Sequence, residues 1–241
     1  VPLIHVFNIS HLKKNVICGY VFGLSFNLTA FYWIGVNSGA DLITVLGSLF
    51  AAVFYLASFW AGAGFLFSLI LKEDQHISGN QFFPFIIVMV EYVRSFGALG
   101  FPWSNLALTQ SKYIYFVQFI EVTGTYGVSF VIIGINIILY NVTQKKISLL
   151  KGLSFISLIM IGLSIAGKAR ILSLPKSIQD ITVAVVQPNV NPNIKWQNKK
   201  EIISFMDSLH QESIKFKPDL IVFPETALPC LLYTSPSPRD A

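Results

Sequence analysis

Charge is scarce in this chain: only 12% of its 241 residues are Asp, Glu, Lys or Arg, against 54% that are hydrophobic. Mean hydropathy is +0.63. A soluble domain ordinarily carries about 25% charged residues, so that class is excluded, while the polar stretches near the end exclude membrane throughout. Cysteine is nearly absent as well. Cys18 lies inside an apolar run and Cys230 near the end, a pair that gives neither a disulfide framework nor metal-ligand spacing. Glu121 and the histidines His5, His11, His76 and His210 form no metal-ligating pattern either, and no cofactor is expected. Acidic residues number 12 against 17 basic ones, a net charge of +5. The lysines are scattered in loops between apolar runs, where they set membrane topology, and no nucleic-acid partner is expected. The chain starts at Val1 with no signal-peptide pattern, so an N-terminal piece is expected to be missing.

Long apolar runs are what the chain has in abundance. Five are candidates to cross a hydrocarbon layer of about 30 Å, which takes about 20 helical residues: 16–36, 42–71, 82–99, 113–140 and 147–167. The second exceeds one perpendicular crossing and should tilt or project. The third is the weakest, since it holds Pro84, Glu91 and Arg94. Gly62 with Gly64, and Gly124 with Gly127, offer faces for close helix contact. Residues 1–170 are therefore expected to form a multi-helix transmembrane bundle.

Basic residues give the orientation. Lys13 and Lys14 precede the first span, Lys72 follows the second, and Lys145, Lys146 and Lys151 lie around the start of the fifth. The alternate loops hold no lysine or arginine at 37–41 and only Lys112 at 100–112. The positive-inside rule puts the N-terminal end in the cytoplasm, and five crossings put everything after Gly167 outside it.

From about Lys168 the composition turns polar. Residues 181–187 are a β-branched strand candidate closed by Pro188 and the turn-rich 189–193. Within 198–217, Ile202, Phe205, Met206, Leu209 and Phe216 recur at helical spacing until Pro218, and 220–223 is a second short apolar strand. Strand, helix, strand of this length predicts a βαβ unit with parallel, buried strands. Reactive groups in such sheets sit outside the C-terminal strand ends, where Gln187 and Glu225 fall. A carboxylate just past a buried strand suits general-base work; a lone Glu there is more often a loop or capping residue.

The surrounding residues change that balance. Val183-Ala184-Val185-Val186-Gln187-Pro188-Asn189, then Lys195-Trp196, then Asp219-Leu220-Ile221-Val222-Phe223-Pro224-Glu225-Thr226-Ala227-Leu228-Pro229 resemble the opening of a nitrilase-type hydrolase domain. They are more closely similar to the version found in apolipoprotein N-acyltransferases. Glu91-Tyr92 with Arg94, Gly100-Phe101-Pro102-Trp103, Gln110 and Gly124 to Gly127 resemble the membrane region of the same family. The resemblance implies that 178–229 begin an α/β nitrilase-like (α/β/β/α sandwich) domain on the periplasmic side of a bacterial inner membrane. It implies a two-step transfer: a cysteine thiolate takes an acyl chain from a phospholipid donor as a thioester, and the N-terminal amine of a diacylglyceryl apolipoprotein accepts it. Glu225 matches the general base, and the family's lysine stabilises the oxyanion. The protein is expected to be monomeric.

The family's lysine and cysteine lie well downstream of the glutamate, and this chain stops 16 residues after Glu225. As written it is expected to be inactive. Cys230 follows Glu225 too closely to match the nucleophile, and the tail 230–241 resembles translated sequencing-adapter sequence rather than nitrilase domain. Three further groups are candidates for substrate binding. Glu91 and Arg94, at i and i+3, share a helix face and form either a lipid-headgroup site or a structural ion pair. Trp103 is an interfacial anchor or a wall of the lipid entry path. Trp196 takes a substrate-facing role from the resemblance and would otherwise be packing. Two other functions remain open at this point: a membrane-tethered amidase of nitrilase type, and a non-catalytic transporter or lipid-binding bundle.

Overall fold

The computed structural model describes residues 1–37, 40–73, 79–175, 180–190 and 199–224. The chain divides into two compact units, residues 1–36 with 43–174, and residues 37–42 with 175–241.

The first unit is helical: α1 (Pro2–Ile9), α2 (Leu12–Phe31), α3 (Leu42–Glu73), α4 (Phe83–Arg94), α5 (Ile120–Thr143) and α6 (Leu149–Leu172). Among the described residues four helical spans are long and apolar enough to cross a membrane, over Leu12–Val36, Leu42–Ile70, Phe116–Thr143 and Leu149–Leu172. The span expected at 82–99 differs. Pro84 is accommodated in the first turn of α4, where its missing N–H costs nothing. The helix stops after 12 residues, a length of about 18 Å. Gly97, at φ +80°, turns the chain, and the turn is closed by the Gly100 N–H on the Gly97 carbonyl (3.0 Å) and the Phe101 N–H on the Arg94 carbonyl (2.9 Å).

Side-chain contacts show where this shortened segment goes. At its start Phe83 packs edge-on against Phe67 of α3 at 5.7 Å and against Phe7 of α1 at 6.1 Å. After its turn Phe101 packs edge-on against Phe31, the last residue of α2, at 4.9 Å. The chain thus passes from the end of the bundle where α3 finishes to the end where α2 finishes, using a short helix and irregular backbone. From there α5 returns toward α1, its Tyr140 ring lying 6.2 Å from His5, and α6 runs back beside it. Lys13, Lys14, Lys72, Lys145 and Lys146 consequently fall at the end where α2 starts. The start expected for the fourth span, at 113, is also corrected. Residues 116–119 form a 3-10 turn, α5 begins at Ile120, and Gly124 at φ +66° and ψ −174° breaks the helix.

Of the four glycines the sequence suggested, Gly64 lies at a close contact with another helix, and Gly19 and Gly23 join it. Asn15, Gly19, Gly23, Asn27 and Phe31 recur every four residues and form the buried stripe of α2. A Cβ on Gly19 would strike the Trp60 carbonyl oxygen, one on Gly23 the Ala57 backbone, and one on Gly64 the Asn15 carbonyl oxygen. Gly62 and Gly124 have open space where a Cβ would stand, and a Cβ on Gly127 would meet only Thr123 of its own helix. The stripe carries its own polar ties: Asn15 Nδ2 donates to the Phe7 carbonyl (3.0 Å) and to Ser68 Oγ (2.9 Å), whose hydroxyl donates to the Gly64 carbonyl (2.8 Å). Hydrocarbon gives helices no hydrophobic reason to associate, so small residues and such bonds hold α2 to α3.

The second unit contains β1 (Val183–Val185), α7 (Lys199–Ile214) and β2 (Leu220–Val222). The strands pair in parallel, with Val183 opposite Leu220 and Val185 opposite Val222. Asp219 locks the entry, its N–H donating to the Thr182 carbonyl at 2.8 Å and its carboxylate accepting from the Thr182 N–H at 2.7 Å. On one face Val183, Val185, Leu220 and Val222 remain exposed. Parallel strands are ordinarily covered on both faces.

Candidate functional site

Two places gather the residues singled out from the sequence. The first is the irregular stretch after α4. Glu91 and Arg94 lie one turn apart at the end of that helix and are 3% and 1% exposed. A charge buried in an apolar bundle is costly unless it is bonded, and here each side chain finds its partner in the following loop. Glu91 Oε1 accepts from the Leu106 N–H at 2.7 Å, and Arg94 Nη2 donates to Asn105 Oδ1 at 3.0 Å. The next amide, Ala107 N–H, donates to Ser129 Oγ of α5 at 3.2 Å. Irregular backbone in an apolar bundle survives only where protein satisfies its polar groups; two of these bonds take up the Leu106 and Ala107 amides, and the third holds the Asn105 side chain. Of the two readings of Glu91 and Arg94, the ion pair is not formed as a bridge within 4.0 Å; bridges of that length join Arg170 to Glu121 and Lys215 to Glu212.

The loop so held presents an aromatic cluster. Trp103, in the turn Pro102–Ser104, is 62% exposed and stacks on Trp33 with ring centres 6.1 Å apart and planes 20° apart. Phe101 lies 5.5 Å from Trp103 and anchors it to Phe31. This cluster sits at the end of the bundle where α6 finishes. There Arg170, in the last turn of α6, forms two 2.7 Å bonds to Glu121 in the first turn of α5. The charges complement the two helix ends. Asn105, Ser129 and Trp33 were missed by sequence reasoning; the first follows directly on Gly-Phe-Pro-Trp-Ser, and nothing in the pattern marks the others.

The second place is the C-terminal edge of the β1–β2 pair. Gln187, two residues beyond β1, donates from Nε2 to Asn189 Oδ1 at 3.2 Å, and Asn189 adopts φ +51°. Beyond β2 the described chain ends at Pro224. Glu225 and Trp196 lie outside the described residues, as does the tail 230–241 with Cys230.

Comparison with known proteins bears on the whole chain. A family profile described as "Apolipoprotein N-acyltransferase N-terminal domain" matches residues 1–138. A protein of Geobacter metallireducens named apolipoprotein N-acyltransferase is 30% identical over 95% of this chain and 46% of its own length. Proteins of the same name from Rickettsia prowazekii and Brucella melitensis are 29% and 26% identical over 87% and 90% of the chain, and over 43% of their own lengths in both cases. The chain thus spans about half the length of the curated relatives it matches. With more than half of its residues matched by that profile, around a bundle able to cross a membrane several times, the chain belongs to the apolipoprotein N-acyltransferase family.

Proposed function

We propose that the full-length protein carrying this sequence transfers an acyl chain from a phospholipid to the amino terminus of a diacylglyceryl lipoprotein in a bacterial inner membrane. The observation that carries this reading is the union, in one chain, of the family's N-terminal membrane domain with a parallel βαβ unit whose second strand leads into Phe-Pro-Glu-Thr-Ala. In the reaction proposed, a cysteine thiolate attacks the ester carbonyl of the phospholipid, the lysophospholipid alkoxide leaves, and a thioester remains on the enzyme. The lipoprotein amine then attacks the thioester, forms the amide and releases the thiol. Glu225 takes the thiol proton, passes it to the leaving alkoxide, and later accepts the proton shed by the amine. In this reading the nucleophilic cysteine and the oxyanion-stabilising lysine belong to other parts of the full-length protein. Residues 178–229 start the nitrilase-like domain in this reading, and the open apolar face of β1 and β2 is consistent with further layers upon it. Trp103 lines the approach of the lipid, and Trp196 faces substrate.

The lysines grouped at the end where α2 starts support a cytoplasmic position for that end, and with it a periplasmic position for the β1–α7–β2 unit in this reading. Cysteines introduced at Ser173 and, separately, at Lys145 test this placement in intact cells with a membrane-impermeant maleimide. Labelling is expected at position 173 and, at position 145, only after permeabilisation; the reverse pattern would overturn the orientation. The activity is tested by supplying labelled phospholipid and a diacylglyceryl-cysteine peptide to membranes containing the full-length protein. Appearance of the amide-linked triacyl peptide is expected, and release of free fatty acid or ammonia without it would point instead to a hydrolase.

A further inference from the structure

The bonds made by Glu91 and Arg94 leave three buried polar atoms of the same junction without protein partners: Glu91 Oε2, Arg94 Nε and Ser104 Oγ. A junction that were only packing would be cheaper with apolar side chains, because buried charges seldom repay their desolvation. What the two charges hold in common is one short stretch of chain. Arg94 grips it at Asn105 and Glu91 at Leu106, immediately after the turn that carries Trp103, while Ser129 takes the next amide. Phe101 pins the other side of that turn to Phe31. The indole is therefore exposed at its face yet fixed at both flanks.

We propose that Glu91 and Arg94 are positioning residues for the lipid donor, acting as a latch that holds residues 101–107 so that Trp103 keeps its place on the lipid approach. This rests on the acyl-transfer reading above. The effect of the latch should fall on the phospholipid and not on the lipoprotein acceptor.

Asn105→Ala tests it from the loop side, leaving α4 and both of its charges intact. Asn105→Asp restores an oxygen acceptor for Arg94. In the full-length protein, hydrogen exchange across 103–108 should quicken at least tenfold in Asn105→Ala and return toward wild type in Asn105→Asp, with α2 and α3 unchanged. With vesicles of acyl-labelled phosphatidylethanolamine and phosphatidylglycerol, KM for the phospholipid should rise about tenfold in Asn105→Ala, with KM for a diacylglyceryl peptide unaltered, and Asn105→Asp should reverse the rise. Unchanged exchange would overturn the latch. Faster exchange with unchanged phospholipid kinetics, or an equal rise in both KM values, would overturn the positioning role. Should Asn105→Ala fail to fold, Ser129→Ala, which cuts the neighbouring tie to Ala107, is read in the same way. A wild-type protein with no acyl transfer would sink the functional reading, and the exchange arm would still decide whether the latch exists.

Discussion

Glu225→Gln, made in the full-length protein, is expected to slow acyl transfer by roughly 10²- to 10⁴-fold, the usual contribution of a positioned general base. The substitution keeps the volume and the hydrogen-bonding reach of the side chain and removes only its ability to hold a proton. Glu225 follows the last residue of β2 by three positions, past Phe223 and Pro224. In sequence it comes just after the C-terminal end of a strand in a parallel pair, the edge at which such sheets ordinarily carry reactive groups. In the reaction proposed, both half-reactions need the base, so formation of the acyl-enzyme and its discharge to the amine should slow together. Folding should be untouched: the melting temperature and membrane insertion of the variant should match the wild type. Wild-type transfer rates in Glu225→Gln would remove this residue from the chemistry.

Gly64→Val is expected to have the largest effect on the membrane bundle, and Gly62→Val almost none. The two glycines are neighbours in α3, yet a Cβ on Gly64 would run into the carbonyl oxygen of Asn15 and the ring of Phe7, while one on Gly62 meets open space. A backbone atom cannot swing aside as a flexible side chain can, so α2 and α3 must separate. Separation breaks the chain of bonds from Phe7 through Asn15 and Ser68 to Gly64. Overpacking of this kind costs about 1–3 kcal/mol, with the lost buried hydrogen bonds added at about 1–3 kcal/mol each where a partner is stranded. Gly62→Val, a substitution away from any contact, should stay within about 0.5 kcal/mol. Thermal unfolding of the detergent-solubilised protein compares them directly. Equal losses from both variants would contradict the packing described here.

Much of this architecture is written in the sequence at low resolution. Apolar runs long enough to cross a membrane announce themselves by length and composition alone, and four of them are helices here. The strand, helix and strand of the second unit were equally legible, because β-branched runs, helical spacing and Pro188 and Pro218 bound them on both sides. What the sequence concealed are features set by tertiary partners. The run 82–99 is apolar enough to suggest a full span, but Gly97 turns it, and the turn survives because Glu91, Ser129 and Arg94 satisfy the loop beyond. Spacing put Glu91 and Arg94 on one face and suggested that they pair with each other. Only the position of Asn105 and Leu106 shows that each is bound to the loop instead. The stripe Asn15, Gly19, Gly23 and Asn27 was not read from the sequence, because what makes it a contact face, Trp60 and Ala57, belongs to another helix.

The most direct measurement is to incubate the full-length protein with phospholipid radiolabelled in its acyl chains, without acceptor, and to look for label on the denatured protein. A hydroxylamine-sensitive acyl-enzyme should accumulate and should discharge when a diacylglyceryl-cysteine peptide is added. Protein that never carries label, while the peptide is nonetheless acylated or left unmodified, would contradict the thioester route and with it the role assigned to Glu225.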